Sequence, residues 1–212
     1  MLHPRAIGLF FALAACTQSL PPLPEAPTPV EAGARASLGA AAPAFVLPAI
    51  DGRLIDLSDF AGQTVVLEWF NPGCPFVKDV YSSNEMTDLV SKWAPQGVTW
   101  LAINSGFPGT EGTGQKTNAR AARGWDIEHP ILLDETGAVG KAYGAKTTPH
   151  MYVIDPSGQL VFAGAFSNAP LGSVTGDREV NHVDDALVAV ASGQPVTNPH
   201  PKAWGCSVKY GS

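Results

Sequence analysis

An α/β fold, a sheet covered by helices on both faces, is predicted by three features of this chain. Short β-rich runs alternate with helical ones from about Leu38 to Ser212. Thr64 to Phe70 and Val98 to Asn104 are near-continuous apolar runs of strand length, the pattern of strands buried on both faces. The last apolar runs form a hairpin followed by an amphipathic helix, which places antiparallel strands at one edge.

In chain order, Phe45 to Phe60 reads as a hairpin turning at Asp51-Gly52. TVVLEWF (Thr64 to Phe70) is a core strand carrying one acid, Glu68. After Asn71-Pro72-Gly73-Cys74, the stretch Pro75 to Ala94 reads as helix, with Pro75 suited to its first turn. Val98 to Asn104 is the next strand, Ser105 to Gln115 a Gly-rich loop, and Lys116 to Trp125 a short helix. PILLD begins a strand, Glu135 to Ala145 holds a short helix, and His150 to Asp155 is a third main strand. Pro156-Ser157-Gly158 turns it into a hairpin with Gln159 to Phe166. Asn181 to Gly193 is an amphipathic helix stopped by Gly193.

The N-terminus has a different character. MLHPR followed by AIGLFFALAA has the charge and length of an export signal, and no stretch reaches the 18 or more apolar residues of a membrane-spanning helix. The run ends Leu13-Ala14-Ala15-Cys16, which resembles the lipobox of bacterial lipoproteins and implies acylation at Cys16. Residues 1–15 are thus expected to be a lipoprotein signal peptide and residues 16–37, rich in Pro and Ala, an extended tether. Residues 38–212 then form the domain. Thr17 after Cys16 resembles outer-membrane-directed lipoproteins, so the expected location is the bacterial cell envelope, facing the periplasm at the outer membrane. The formal net charge of −6 disfavours nucleic acid and anionic lipid surfaces as partners, leaving the lipid anchor as the membrane contact. With Cys16 acylated, two cysteines remain, Cys74 and Cys206, in a compartment where disulfides persist.

Chemistry concentrates at Glu68 to Lys78, EWFNPGCPFVK. A buried strand enters a tight Asn-Pro-Gly turn, presents a cysteine and starts a helix at once. A thiol at a helix N-terminus sees free N–H groups and the positive end of the macrodipole, both of which favour the reactive thiolate. The alternative is an inert buried cysteine at a strand end.

This segment resembles the thioredoxin active-site region, in which a strand enters Cys-x-x-Cys at the head of a helix. Cys74 matches the nucleophilic cysteine, while the second position is Val77. Glu68, six residues earlier, matches the buried carboxylate that moves protons in thioredoxin-like proteins, and an acid inside an apolar strand has a raised pKa. Thr148-Pro149 matches the cis-proline that faces the cysteine and positions substrate backbone, and His150 follows within reach of the thiolate. Cys206, in the terminal WGCSVKY, is a candidate replacement for the thiol missing at Val77. A permanent disulfide or an unpaired thiol are the other possibilities for it.

Taken together, NPGCPFVK, LAINS, LLDETGAVGKAYGAKTTPHMYVID and GCSVKY are similar, in this order, to the peroxiredoxin-like subgroup of the redoxin superfamily, related to alkyl hydroperoxide reductase and thiol-specific antioxidant. The resemblance implies a thioredoxin-like three-layer α/β/α fold with an N-terminal hairpin and a C-terminal tail. True peroxiredoxins carry Pro-x-x-x-Thr/Ser-x-x-Cys, whereas Leu67 and Asn71 hold those positions before Cys74. Three functions follow. In the first, Cys74 attacks substrate disulfides, Glu68 manages the proton, Thr148, Pro149 and His150 hold the substrate, and Cys206 resolves the mixed disulfide. In the second, Cys74 is a peroxidatic cysteine whose sulfenic acid condenses with Cys206. In the third, Cys74, His150 and Cys206 hold Cu(I) without catalysis. The catalytic readings need an external thiol reductant and no cofactor, and no resident metal is expected.

Overall fold

In a computed structural model the protein is described over residues 20–23, 30 and 33–211. The signal-peptide reading of residues 1–15 and the lipidation of Cys16 lie outside the described residues. At the start of the domain, β1 (Val46–Pro48) and β2 (Leu54–Asp56) form the expected antiparallel hairpin. Then come β3 (Thr64–Trp69), α1 (Pro75–Ser82), α2 (Glu85–Trp93), β4 (Val98–Asn104), α3 (Gln115–Gly124), β5 (Ile131–Leu133) and α4 (Ala138–Tyr143). The chain ends with β6 (Thr147–Thr148), β7 (His150–Ile154), β8 (Leu160–Gly164), α5 (His182–Ala191) and β9 (Cys206–Ser207).

The central sheet has the order β5-β4-β3-β7-β8. β3 lies in its middle, parallel to β4 and antiparallel to β7, so its N–H and C=O groups are paired on both sides. Both faces of β3 are buried, and this explains its apolar run. Val66 and Phe70 point into a core shared with α1, α2 and α5, while Val65, Leu67 and Trp69 face α4 and the hairpin. Burying each such side chain contributes about 1.5–3 kcal/mol. Alternation sends Glu68 to the first face, among Tyr81 and Trp100.

One expectation is corrected. The helix read across residues 75–94 is broken between α1 and α2 at Asn84, whose φ of 66° lies in the left-handed region that Asn tolerates better than most side chains. The expected C-terminal tail is docked on the domain. The N–H groups of Ala163 and Ala165 donate to Pro199 O and Pro201 O, so the segment first runs along the outer edge of β8. It then pairs through β9 with β6, after which Val208 N–H donates to Lys146 O and Phe107 N–H to Lys209 O. At the other end, Ala36 N–H donates to Ala142 O and Pro21 O accepts from Gln115 Nε2. Parts of the stretch read as a tether therefore touch the domain. Among the described residues no helix is long and apolar enough to cross a membrane.

Candidate active site at the β3–α1 junction

The turn that presents Cys74 is held by its own residues and by the Gly-rich loop. Asn71 Oδ1 accepts from Gly73 N–H at 2.7 Å, and Asn71 Nδ2 donates to Glu111 O at 3.0 Å. Cys74 N–H closes the turn on Asn71 O, and Cys74 is the N-terminal cap of α1 with Pro75 in the first turn. The sulfur sits where the sequence places it, at the head of a helix, and Cys74 as a residue is 3% exposed.

The tail delivers the second sulfur. β9 pairs antiparallel with β6, with Cys206 opposite Thr148 and Ser207 opposite Thr147. Cys74 Sγ lies 2.7 Å from Cys206 Sγ and 3.0 Å from Thr148 O, and both cysteines are free thiols. Close approach of the tail depends on Gly205, whose φ is 130° and where a Cβ would lie 2.1 Å from Thr148 O. Trp204 pins the turn from outside: its Nε1 donates to Ser167 O and its ring sits 5.7 Å from that of Phe76. Gly205, Trp204 and Phe76 were not singled out from sequence, although Trp-Gly directly before Cys206 is the pattern that a pinned, close-packed turn leaves.

The two sulfurs are electrostatically unequal. Burial pushes the Cys74 thiol up, but hydrogen bonds from Cys206, Thr148 and the N–H groups of Val77 and Cys206 together hold it below its ordinary value. The Thr148 hydroxyl is buried and has no hydrogen-bond partner among the described residues. Cys206 is pushed up to about 11 by burial and by its bond to Cys74, because a pair sharing one proton cannot ionise twice cheaply. Of the two, Cys74 is therefore the more readily ionised.

Pro149 follows a cis peptide bond at Thr148. The backbone edge beside it, expected to be open for an extended substrate, is occupied by Cys206 of the chain itself. His150 does not approach the sulfurs. Parity along β7 puts it on the opposite face of the sheet with Tyr152, whose hydroxyl is 3.1 Å from His150 Nδ1. No three His, Cys, Asp or Glu side chains converge as a metal site among the described residues, so Cys74, His150 and Cys206 do not make the soft copper site considered above.

Glu68 is fully buried, as its strand predicted. Burial raises its pKa to about 7, against hydrogen bonds from Tyr81 and Trp100 that lower it. Its Oε2 accepts from the Tyr81 hydroxyl at 2.8 Å and from Trp100 Nε1 at 3.2 Å, and its Oε1 has no partner among the described residues. Neither sulfur is among its hydrogen-bond partners. Tyr81 also lies 3.4 Å from His129 Nε2. Sequence reasoning did not name Tyr81 or His129.

Residues 38–163 match the AhpC/TSA family. The thiol-disulfide oxidoreductase ResA of Geobacillus thermodenitrificans is 32% identical over 126 residues, which span 58% of this chain and 67% of that protein. The crystal structure of an uncharacterized conserved protein from Geobacillus kaustophilus superposes with a TM-score of 0.74 at 31% identity, covering 82% of this chain and 93% of that one. A putative thioredoxin from Neisseria meningitidis, 16% identical with a TM-score of 0.55 over 74% and 93% of the two chains, shares the fold. The thioredoxin-like three-layer reading of the sequence is thereby met.

Proposed function

The chain belongs to the AhpC/TSA family and is an oxidoreductase acting on thiols and disulfides; on that premise we propose that Cys74 and Cys206 are its working pair. The observation that carries this reading is the 2.7 Å approach of a low-pKa thiol at a helix N-terminus to a second thiol held by a strand pair. In the reducing direction, the Cys74 thiolate attacks one sulfur of a substrate disulfide. That S–S bond breaks, and the leaving thiolate takes a proton. Cys206, deprotonated as the mixed disulfide forms, then attacks Cys74 Sγ and expels the second substrate thiol. The protein ends as the Cys74–Cys206 disulfide, having passed two electrons to the substrate, and an external thiol reductant resets it.

Cys206 thus takes the part that Val77 cannot. Glu68 serves as a buried proton reserve, since a carboxyl with a pKa of about 7 exchanges protons near neutrality. Thr148 and Pro149 hold whichever sulfur partner occupies the β6 edge: Cys206 at rest, substrate in the mixed disulfide. Among the described residues, no arginine is a hydrogen-bond partner of Cys74, which favours disulfide exchange over peroxide reduction. We place the domain in the cell envelope, exported and anchored through Cys16.

The test is trapping. Cys206→Ser incubated with a disulfide-bonded protein substrate accumulates a mixed disulfide at Cys74, which reducing agent releases. Wild type turns over without accumulating it, and Cys74→Ser forms none. Equal accumulation with Cys206 intact would remove Cys206 from the mechanism, and rapid peroxide consumption by wild type would restore the peroxidase reading.

A further inference from the structure

On the opposite face of the sheet from the thiols lies a cavity of about 600 Å³, reaching from Thr147 to the tail segment that leads into β9. Its volume falls within the range of small-molecule sites. Tyr143, Tyr152, Leu38 and Leu160 give it aromatic and aliphatic walls. Lys146, His150, His200 and Lys202 also line it, and no Asp or Glu does so among the described residues.

His150 is the telling member. It is 6% exposed, and its Nδ1 is engaged by the Tyr152 hydroxyl and, at 3.4 Å, by Lys146 N–H. That leaves Nε2 as the free nitrogen of a ring that borders the cavity, with no hydrogen-bond partner among the described residues. Burial, then the charges of His200 and Lys146, push this imidazole down to about 4. Basic residues thus line an apolar space, with no carboxylate among its described lining residues. An anion entering there would relieve that repulsion and give His150 a partner.

We propose that this cavity binds a small organic acid, its carboxylate held by Lys146, Lys202 and His150 and its apolar or aromatic body lying against Tyr143 and Tyr152. Inorganic anions make no use of those walls, and neutral apolar molecules make no use of the cations. The reading requires nothing of the thiol chemistry, so its failure and that of the redox assignment are separable.

Calorimetric titration of the full chain with 3-phenylpropionate, its neutral amide and inorganic phosphate decides the matter. The expected result is saturable binding of the acid, at least tenfold tighter than either comparison compound. Lys202→Gln and Lys146→Gln should each weaken it several-fold, with unchanged circular dichroism and unchanged Cys74 alkylation in the absence of ligand. Equal binding of acid and amide, phosphate binding as tightly as the acid, no saturation by any probe, or unaltered affinity in both lysine variants would each overturn the proposal.

Discussion

Replacing Gly205 with alanine sets a methyl carbon 2.1 Å from Thr148 O and 2.7 Å from the carbonyl carbon, where ordinary contacts begin at 3.4 Å. Thr148 belongs to β6 directly before Pro149, so the tail is the partner that gives way, by more than an ångström. A side chain at a φ of 130° adds backbone strain of about 1–3 kcal/mol. The displacement also loosens the two-residue ladder between Thr147–Thr148 and Cys206–Ser207, whose hydrogen bonds contribute about 1 kcal/mol each. Docking of Cys206 beside Cys74 should then weaken by about 3 kcal/mol, roughly a hundredfold drop in its local concentration. For a two-electron couple this raises the reduction potential of the pair by about 60 mV. Equilibration in glutathione redox buffers, followed by acid quench and mass spectrometry, reads the Cys74–Cys206 disulfide directly. The fold should stay intact, because the central sheet does not include β9. A Gly205→Ala disulfide as stable as wild type, within a factor of three, would refute the claim that this glycine admits the tail to the thiolate.

Glu68 should make folding stability depend on pH. Its folded pKa of about 7 stands above its usual 4.5, so below 4.5 both states are protonated and burial costs nothing extra. Between 4.5 and 7 the unfolded chain ionises first and stability falls, by about 3 kcal/mol in all, with no further loss from this group above 7. Urea denaturation at pH 4.5 and 8 should show this decline relative to Glu68→Gln, which retains the shape and lacks the ionisation; parallel pH profiles would show that Glu68 is not the titrating group. At the N-terminus, the lipobox reading predicts incorporation of labelled palmitate in a bacterial host and its loss in Cys16→Ala. Label that persists in the variant would remove Cys16 as the attachment point.

Docking of the tail at β6 has a consequence for access. On the proposed function, an extended substrate adds a strand at the backbone edge beside Pro149, which Cys206 already fills. A protein substrate must therefore compete with a segment fastened at Pro199, Pro201, Trp204, Val208 and Lys209. A small disulfide needs only to reach one sulfur.

By itself the sequence determined the elements whose cause is local. The apolar run of β3 could be satisfied only by burial on both faces, and burial of Glu68 within it follows from the same run. The tight Asn71–Gly73 turn running straight into Pro75 likewise fixed Cys74 at a helix head. Tertiary structure decided whatever depends on pairing between distant segments. Cys206 reaches Cys74 across 132 residues through backbone hydrogen bonds along β8 and β6, and such bonds leave no side-chain period to read. His150 adjoins Pro149 in sequence yet faces away from the thiols, because each step along a strand reverses the side of the sheet. The break at Asn84 and the Tyr81 and Trp100 contacts of Glu68 likewise arise from how α1 and β4 pack on β3. A sequence can set a sulfur at a helix head locally; which group stands opposite that sulfur is settled only when the chain closes on itself.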